Sequence, residues 1–311
     1  MIDLSIIIVS WNVRELLGRC LASVTASAQI RPGLTTEVIV VDNASSDDSA
    51  AMVARDHPYV RLISNSQNLG FTRASNQGIR ASSGRYLLLL NPDTEVLGDA
   101  LGLMVDYIEA HPQVGLLGPK LLNPDGTVQS SRRRFPTLAT AFVESTVLQR
   151  YLSQSQAVKR YYMLDRSDDE EQEVDWLMGA CLMARREAVA AAGLLDEGFF
   201  MYFEEVDWAR RIRQAGWQVV YLPQAQVIHH HGQSSGRDIP HRHINFNVSK
   251  WRYVRKHHGP LPAMLLRWFL LATFVFQMAE EAAKLLLGHK RTLRRERLGV
   301  LARVLRSRLR P

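Results

Sequence analysis

Four short, largely apolar runs recur in the first ninety residues, and the segments between them repeat apolar residues at helical spacing. The runs are LSIIIVS (Leu4–Ser10), EVIVVD (Glu37–Asp42), VRLISN (Val60–Asn65) and RYLLLL (Arg85–Leu90). A strand that is apolar at consecutive positions, rather than at every second one, has to be buried on both faces. VRELLGRCLASV (Val13–Val24) and a segment from about Thr72 to Ser82 supply helices to cover those faces. Alternation of this kind defines βαβ units and an α/β fold, a mostly parallel central sheet flanked by helices. Ligands bind such sheets beyond the carboxyl ends of the strands. Ser10, Asp42 and Asp93 all fall there, the last in LLLLNPDTEV (Leu87–Val96), where four leucines stop on an acidic turn.

Further along, Asn-Pro-Asp-Gly at 123–126 reads as a tight turn between strands. Glu204–Gly216 reads as a helix closed by glycine, and WQVVYLP as a strand. Cys20 and Cys181 are the only cysteines and have no metal-binding spacing, so they are expected to be reduced core thiols of a cytosolic protein, with one disulfide left open. The N-terminus, Met1-Ile2-Asp3-Leu4, lacks a secretory-signal pattern.

The 311 residues carry a net charge of +7, but Lys290–Pro311 alone has nine Lys/Arg against one Glu, a net of +8. The body before it is therefore near −1, which argues against a nucleic-acid groove and for an anionic surface met by one end of the chain. Ahead of that tail, Leu265–Gly288 is helical and very apolar, with charges at Arg267, Glu280, Glu281 and Lys284. Its uncharged stretch, Trp268–Ala279, covers only ~18 Å of a ~30 Å hydrocarbon core. A helix lying in the membrane interface, followed by arginines for anionic headgroups, is the favoured reading. Packing on the domain or on a second subunit is the other. The expected division is a domain at 1–258 and a helical, membrane-associating extension at 259–311.

The pieces SIIIVSWN, VVDNASSD, NLGFTRASNQGI, LLLLNPDTEV, GACLMARREAVAAAGLLDEGFFMYFEEVDWARRIRQAGW and VIHHHGQSS occur in that order. Together they resemble the family 2 inverting glycosyltransferases of the Rossmann-like GT-A fold, most closely the rhamnosyltransferase-like members that extend lipid-linked cell-surface polysaccharide. The likeness covers about residues 4–258. It implies that Asp42 and Ser10 meet the pyrimidine base of a nucleotide, where helix capping is the bland role for Asp42. It implies that Asp93, with Asn91 in place of a first aspartate, belongs to the diphosphate and metal site. His229 would be the second protein ligand of a divalent ion (Mg2+ or Mn2+), with His230 and His231 left to surface or supporting roles. Gly70, Arg73 and Asn76 lie in the segment that closes over the nucleotide. Trp176, Gly179 and Ala180 match the segment lining the donor sugar and acceptor.

In FFMYFEEVDWARR the resemblance makes Glu205 the base that deprotonates the acceptor, with Glu204 and Asp207 toward the acceptor sugar. All three acids also suit a helix start, and the choice between Glu204 and Glu205 stays open. Arg210 and Arg211 are readable as partners of acids or phosphates, or as a solvated helix face. KWRYVRKHHG (Lys250–Gly259) is expected to form the lip facing a lipid diphosphate. The implied reaction takes a sugar from dTDP-rhamnose, or second a UDP-sugar, to a polyprenyl-diphosphate-linked saccharide at the inner face of the cell membrane. A non-catalytic sugar-nucleotide binding subunit is the alternative. A nucleotidyltransferase is disfavoured because SWNVRELL lacks a glycine-rich triphosphate loop.

Overall fold

The computed structural model describes residues 1–230 and 239–310. In chain order the elements begin β1 (Leu4–Ser10), α1 (Arg14–Ile30), β2 (Thr36–Asp42), α2 (Ser49–Asp56), β3 (Arg61–Ser64), α3 (Phe71–Ala81), β4 (Tyr86–Leu90), β5 (Thr94–Val96) and α4 (Ala100–Ala110). They continue with β6 (Val114–Leu122), β7 (Val128–Gln129), β8 (Arg132–Arg133), α5 (Leu138–Val143), α6 (Gln149–Leu152) and α7 (Gln156–Tyr161). After these come β9 (Gln172–Glu173), β10 (Trp176–Leu177), β11 (Cys181–Arg185), α8 (Arg186–Ala192), α9 (Glu204–Gln214) and β12 (Gln218–His229). Three long helices close the chain, α10 (Ile239–His258), α11 (Pro260–Leu286) and α12 (Arg291–Ser307).

Two compact units result. The first gathers Met1–Phe135, Tyr162–Phe200 and the stretch from Glu204 through β12. The second gathers Pro136–Tyr161, Met201–Phe203 and the three C-terminal helices, so the composition break at residue 259 falls inside it.

The main sheet of the first unit runs β3-β2-β1-β4-β11-β6-β12-β5. Its first four strands are parallel, with Ser10 level with Asp42 and Ile8 level with Leu90. Strand β11 enters antiparallel between β4 and β6, whereas β12 runs parallel to β6 and antiparallel to β5. The unbroken apolar runs are explained by burial on two sides. Leu4, Ile6, Ile8, Leu88 and Leu90 join a core with Leu17, Leu21 and Val24 of α1. Ile7, Leu87 and Leu89 point the other way, into a core with Ile79 of α3 and Trp208 and Ile212 of α9. Cys20 and Cys181 are both free and buried, and burial pushes the Cys20 thiol up to about 12.

Gly70 shows why α3 starts where it does. Its backbone (φ +84°, ψ +166°) lies in a region essentially restricted to glycine. A Cβ there would meet the Phe200 carbonyl oxygen at 2.7 Å, next to the bond that Phe71 N–H donates to the same oxygen.

In the second unit, α11 buries Ala263, Leu266, Leu270, Thr273 and Phe274 on one face. The buried pair Arg294–Glu281, at 2.7 Å, ties α12 to α11. Buried Lys250 donates from Nζ to the Glu144 carbonyl at 2.6 Å, and burial lowers its pKa to about 8. Ser249 donates to the Met201 carbonyl, and Phe203 packs on Phe246 and Tyr253.

Candidate active site

The carboxyl ends of β1 and β2 form one side of the site in the first unit. Because these strands are in register, Ser10 and Asp42 end side by side, and both are buried. One Asp42 oxygen, Oδ2, accepts the Ser45 N–H at 3.0 Å, the ordinary local role for such a residue. The other, Oδ1, and the Ser10 hydroxyl are buried with no hydrogen-bond partner among the described residues. Buried polar atoms are nearly always paired. Two orphans at adjacent strand ends are therefore a place for a ligand that brings a donor and an acceptor, as a pyrimidine ring does.

Strand β4 ends at Leu90, and the chain turns through Asn91-Pro-Asp93 into β5. The Asn91 N–H donates to the Ala180 carbonyl, and the Asn91 carbonyl accepts from Thr94 Oγ1 at 2.7 Å. Strand β12 comes up beside this turn, pairing His229 with Thr94, and the His230 N–H donates to the Asp93 carbonyl. Two segments 136 residues apart are thus locked together by backbone bonds. Their side chains meet with Asp93 Oδ1 3.4 Å from His229 Nε2, both residues buried. His230 points elsewhere, its Nε2 2.7 Å from Glu95 Oε1. His231 lies outside the described residues.

Among the described residues no group of three or more His, Cys, Asp or Glu side chains converges. A carboxylate oxygen and an imidazole nitrogen in contact still fit a divalent ion. Mg2+ in particular takes one or two protein carboxylates and fills its remaining positions with phosphate oxygens and water. Asn91 adds no charge to the set.

The acids of α9 form the other side. Glu204 and Asp207 are buried. Glu204 has an oxygen, Oε2, with no hydrogen-bond partner among the described residues, and burial, aided by the adjacent Glu205 carboxylate, pushes its pKa well above the ordinary range. Glu205 sits against the 179–180 segment, since a Cβ built on Gly179 would lie 3.6 Å from Glu205 Cβ and Cγ. Because Ala180 holds Asn91, the Gly179–Ala180 dipeptide touches both the Asp93 turn and Glu205. Trp176, just before it, donates from its indole to the Arg134 carbonyl, and its ring lies 6.0 Å from the Arg133 guanidinium. Tyr202 and Phe203, immediately ahead of Glu204, are both left-handed (φ +69° and +65°). Such backbone costs of order 1–3 kcal/mol per residue and tends to cluster where geometry matters.

Three residues expected at the site are otherwise engaged. Asn76 is buried, with its amide donating to the Leu195 carbonyl and Glu197 Oε1 and accepting from the Leu195 N–H. It clips α3 to the 195–197 segment, with both amide hydrogens committed there. Asp207, fully buried, accepts from Arg211 at 2.9 Å, and Arg211 in turn caps the carbonyls of Ala192 and Leu194. That gives Asp207 a structural role, linking α9 through Arg211 to the 192–194 segment. Arg73 is on the exposed face of α3, 3.7 Å from Glu197. Arg210 lies over the Phe135 ring. Gln129 was not expected here; its Oε1 is 2.7 Å from His229 Nδ1.

A sheet with this strand order, a carboxylate–imidazole pair at its strand ends and an acidic helix start across from them define a glycosyltransferase of the GT-A class. The sequence matches the Glycosyl transferase family 2 model over residues 5–191, and the chain belongs to that family. It is 31% identical over 278 residues to the N-acetylglucosaminyl-diphospho-decaprenol L-rhamnosyltransferase of Mycobacterium tuberculosis, covering 86% of this chain and 89% of that one. Two solved structures share the fold, each at 17% identity. The mannosyltransferase PcManGT from Pyrobaculum calidifontis, in complex with GDP-Man and Mn2+, superposes with a TM-score of 0.56 over 97% of this chain and 85% of its own. GalNAc-T7 with UDP, GalNAc and Mn2+ gives 0.57 over 82% of this chain, which spans 48% of that larger one.

Proposed function

We propose that this glycosyltransferase moves a sugar with inversion from a nucleotide-diphosphate donor to a polyprenyl-diphosphate-linked saccharide at the cytoplasmic face of the membrane. dTDP-rhamnose is the first candidate donor and a UDP-hexose the second. The rhamnosyl donor and lipid-linked acceptor are supported by the mycobacterial relative, whose length the chain nearly matches. The observation that carries the reading is the buried contact between Asp93 and His229.

The donor's base lies against Ser10 and Asp42, where an imide N–H finds the orphaned Asp42 oxygen. Asp93 and His229 would hold a divalent ion, Mg2+ or Mn2+, which supplies charge neutralisation for the departing diphosphate. The acceptor hydroxyl approaches past Gly179, whose missing side chain leaves room beside Glu205. Its oxygen bonds to the anomeric carbon as the carbon–oxygen bond to the diphosphate breaks. The diphosphate leaves with that electron pair, and Glu205 takes the hydroxyl proton. Glu204, whose carboxyl is driven toward its protonated form by burial and by its neighbour's charge, is the poorer base and the better hydrogen-bond donor.

The same reading places the protein on the membrane surface through its second unit. Leu261, Met264, Leu265, Trp268, Val275 and Phe276 of α11 are exposed at helical spacing, opposite its buried face. The 27-residue helix is long and apolar enough to cross a bilayer by length and composition. Its buried bonds to α12 support an in-plane position instead. The exposed Arg291, Arg295, Arg303 and Arg306 of α12 suit anionic headgroups.

Calorimetry of dTDP binding with and without Mn2+ tests the centre of this proposal. Wild-type protein is expected to bind dTDP more tightly with Mn2+, and Asp93→Ala to lose that gain while melting normally. An Asp93→Ala variant that keeps the full Mn2+-dependent gain would remove Asp93 from the site.

A further inference from the structure

Which nitrogen of His229 carries the proton is decided by a line of hydrogen bonds that starts well away from the ring. Thr127 stands next to an acceptor that cannot donate, since its hydroxyl gives a 2.6 Å bond to the Asp125 carboxylate. With that hydrogen committed, Thr127 Oγ1 can only accept from Asn123, and it does so from Nδ2 at 2.9 Å. The Asn123 amide is thereby oriented, and its Oδ1 faces Gln129 Nε2 at 2.9 Å. The Gln129 amide is oriented in turn, so its oxygen faces His229 Nδ1 at 2.7 Å. An oxygen there requires a proton on Nδ1. In the neutral ring the other nitrogen, Nε2, then offers a lone pair, and it is the nitrogen 3.4 Å from Asp93 Oδ1.

The Asn-Pro-Asp-Gly turn supplies this relay. Asn123 and Gly126 close it through the Gly126 N–H, and the Asn123 N–H donates to the Thr127 carbonyl. Asp125 and Thr127 are tip residues of the loop, while Asn123 and Gln129 are half-buried beneath it. The turn connecting β6 to β7 thus has a use beyond reversing the chain.

We propose that Gln129 is a positioning residue that fixes His229 as its Nδ1–H tautomer and so presents the Nε2 lone pair toward Asp93, for the divalent ion they would share. The proposal rests on the metal reading above only in its last clause. Without the Gln129 oxygen the ring proton has a better place on Nε2, beside the Asp93 carboxylate, where it occupies the metal's position. Partners that orient metal-ligating histidines in this way typically contribute about 10–100-fold in metal affinity.

The test uses the full chain and two readouts. Nitrogen NMR of 15N-histidine protein, with the His229 signal assigned from its loss in His229→Gln, reads the tautomer without metal. Wild type is expected as Nδ1–H, Gln129→Met as Nε2–H, and Gln129→Glu, which restores an acceptor oxygen, as Nδ1–H again. Paramagnetic resonance then reads Mn2+ affinity in the presence of dTDP, expected to fall about 10–100-fold in Gln129→Met and to stay near wild type in Gln129→Glu. An Nε2–H ring in wild type, or the same tautomer in wild type and Gln129→Met, would overturn the proposal. So would unchanged Mn2+ affinity in Gln129→Met when that affinity depends on Asp93 and His229. If wild type binds no Mn2+, the metal reading fails, and the tautomer readout still decides the role of Gln129.

Discussion

Glu204 and Glu205 are neighbours in sequence with opposite fates. Glu204 is buried, whereas Glu205 is half-buried and packs against Gly179, the one residue without a side chain in its segment. Glu205→Gln keeps size and polarity but cannot accept a proton, so kcat is expected to fall by about 10²–10⁴-fold with donor affinity unchanged. Glutamine at 204 copies a protonated acid, so Glu204→Gln should keep kcat within about tenfold and act on acceptor KM. Steady-state kinetics with both substrates varied separates the two, and the reverse pattern would exchange their roles. The raised pKa of Glu204 also has a stability signature. The folded carboxyl binds more protons than the unfolded one above its ordinary value of 4.5, so its contribution is whole below that pH and is lost as pH rises. Thermal melts should therefore show Glu204→Gln gaining on wild type as pH rises above 4.5; a constant difference would contradict the assignment. Ser10 and Asp42 are legible in the sequence as strand ends and Asp93 as the turn just beyond one, where such sheets bind ligands, whereas His229 is legible only through the family resemblance. The sequence could not show that Asn76 and Asp207 are engaged within the fold, because Leu195 and Arg211 compete for them only once the chain has folded. Nor does a half-buried glutamine after a turn signal a partner for a histidine 100 residues on.

At the scale of elements, the runs that are apolar at nearly every position specified two-sided burial for β1, β2 and β4, whereas β3, also expected to be covered on both faces, is the sheet edge and keeps Arg61 and Ser64 exposed. These runs carried no information on direction, so the antiparallel entry of β11 between β4 and β6 was not readable from CLMAR. Element ends were legible where the backbone itself demanded a residue type. Gly70 combines a glycine-only conformation with a 2.7 Å approach to the Phe200 carbonyl. Gly70→Ala is expected to destabilise the first unit by about 1–3 kcal/mol from the backbone alone, with more from the clash. Chemical denaturation measures it, and a loss below about 0.5 kcal/mol would mean the Phe200 segment gives way freely. The sequence places a helix over Leu265–Gly288 whose uncharged part, Trp268–Ala279, is short for a bilayer; the helix in the structure runs for 27 residues, Pro260–Leu286, around that same stretch. Its charges Glu281 and Lys284 are absorbed by pairing, Glu281 with Arg294 of α12, which a hydropathy argument does not see.

For the whole molecule, the proposed function assigns the soluble donor to the strand ends of one unit and the membrane surface to the other, which carries an apolar stripe and an arginine-rich helix. Deleting Lys290–Pro311 should lower co-sedimentation with anionic vesicles, in a manner that weakens in wild type as salt rises. Equal sedimentation of truncated and full-length protein would give α12 another task. The central claim is chemical, and transfer itself tests it most directly. Purified full-length protein would be given a polyprenyl-diphosphate saccharide and a panel of nucleotide sugars, with Mn2+ or with EDTA, and the product's anomeric configuration read by NMR. The account predicts one preferred donor, dTDP-rhamnose first among them, an inverted product, and loss of transfer with EDTA and in Asp93→Ala. Transfer that proceeds equally in EDTA or in Asp93→Ala, or a product with retained configuration, would contradict it.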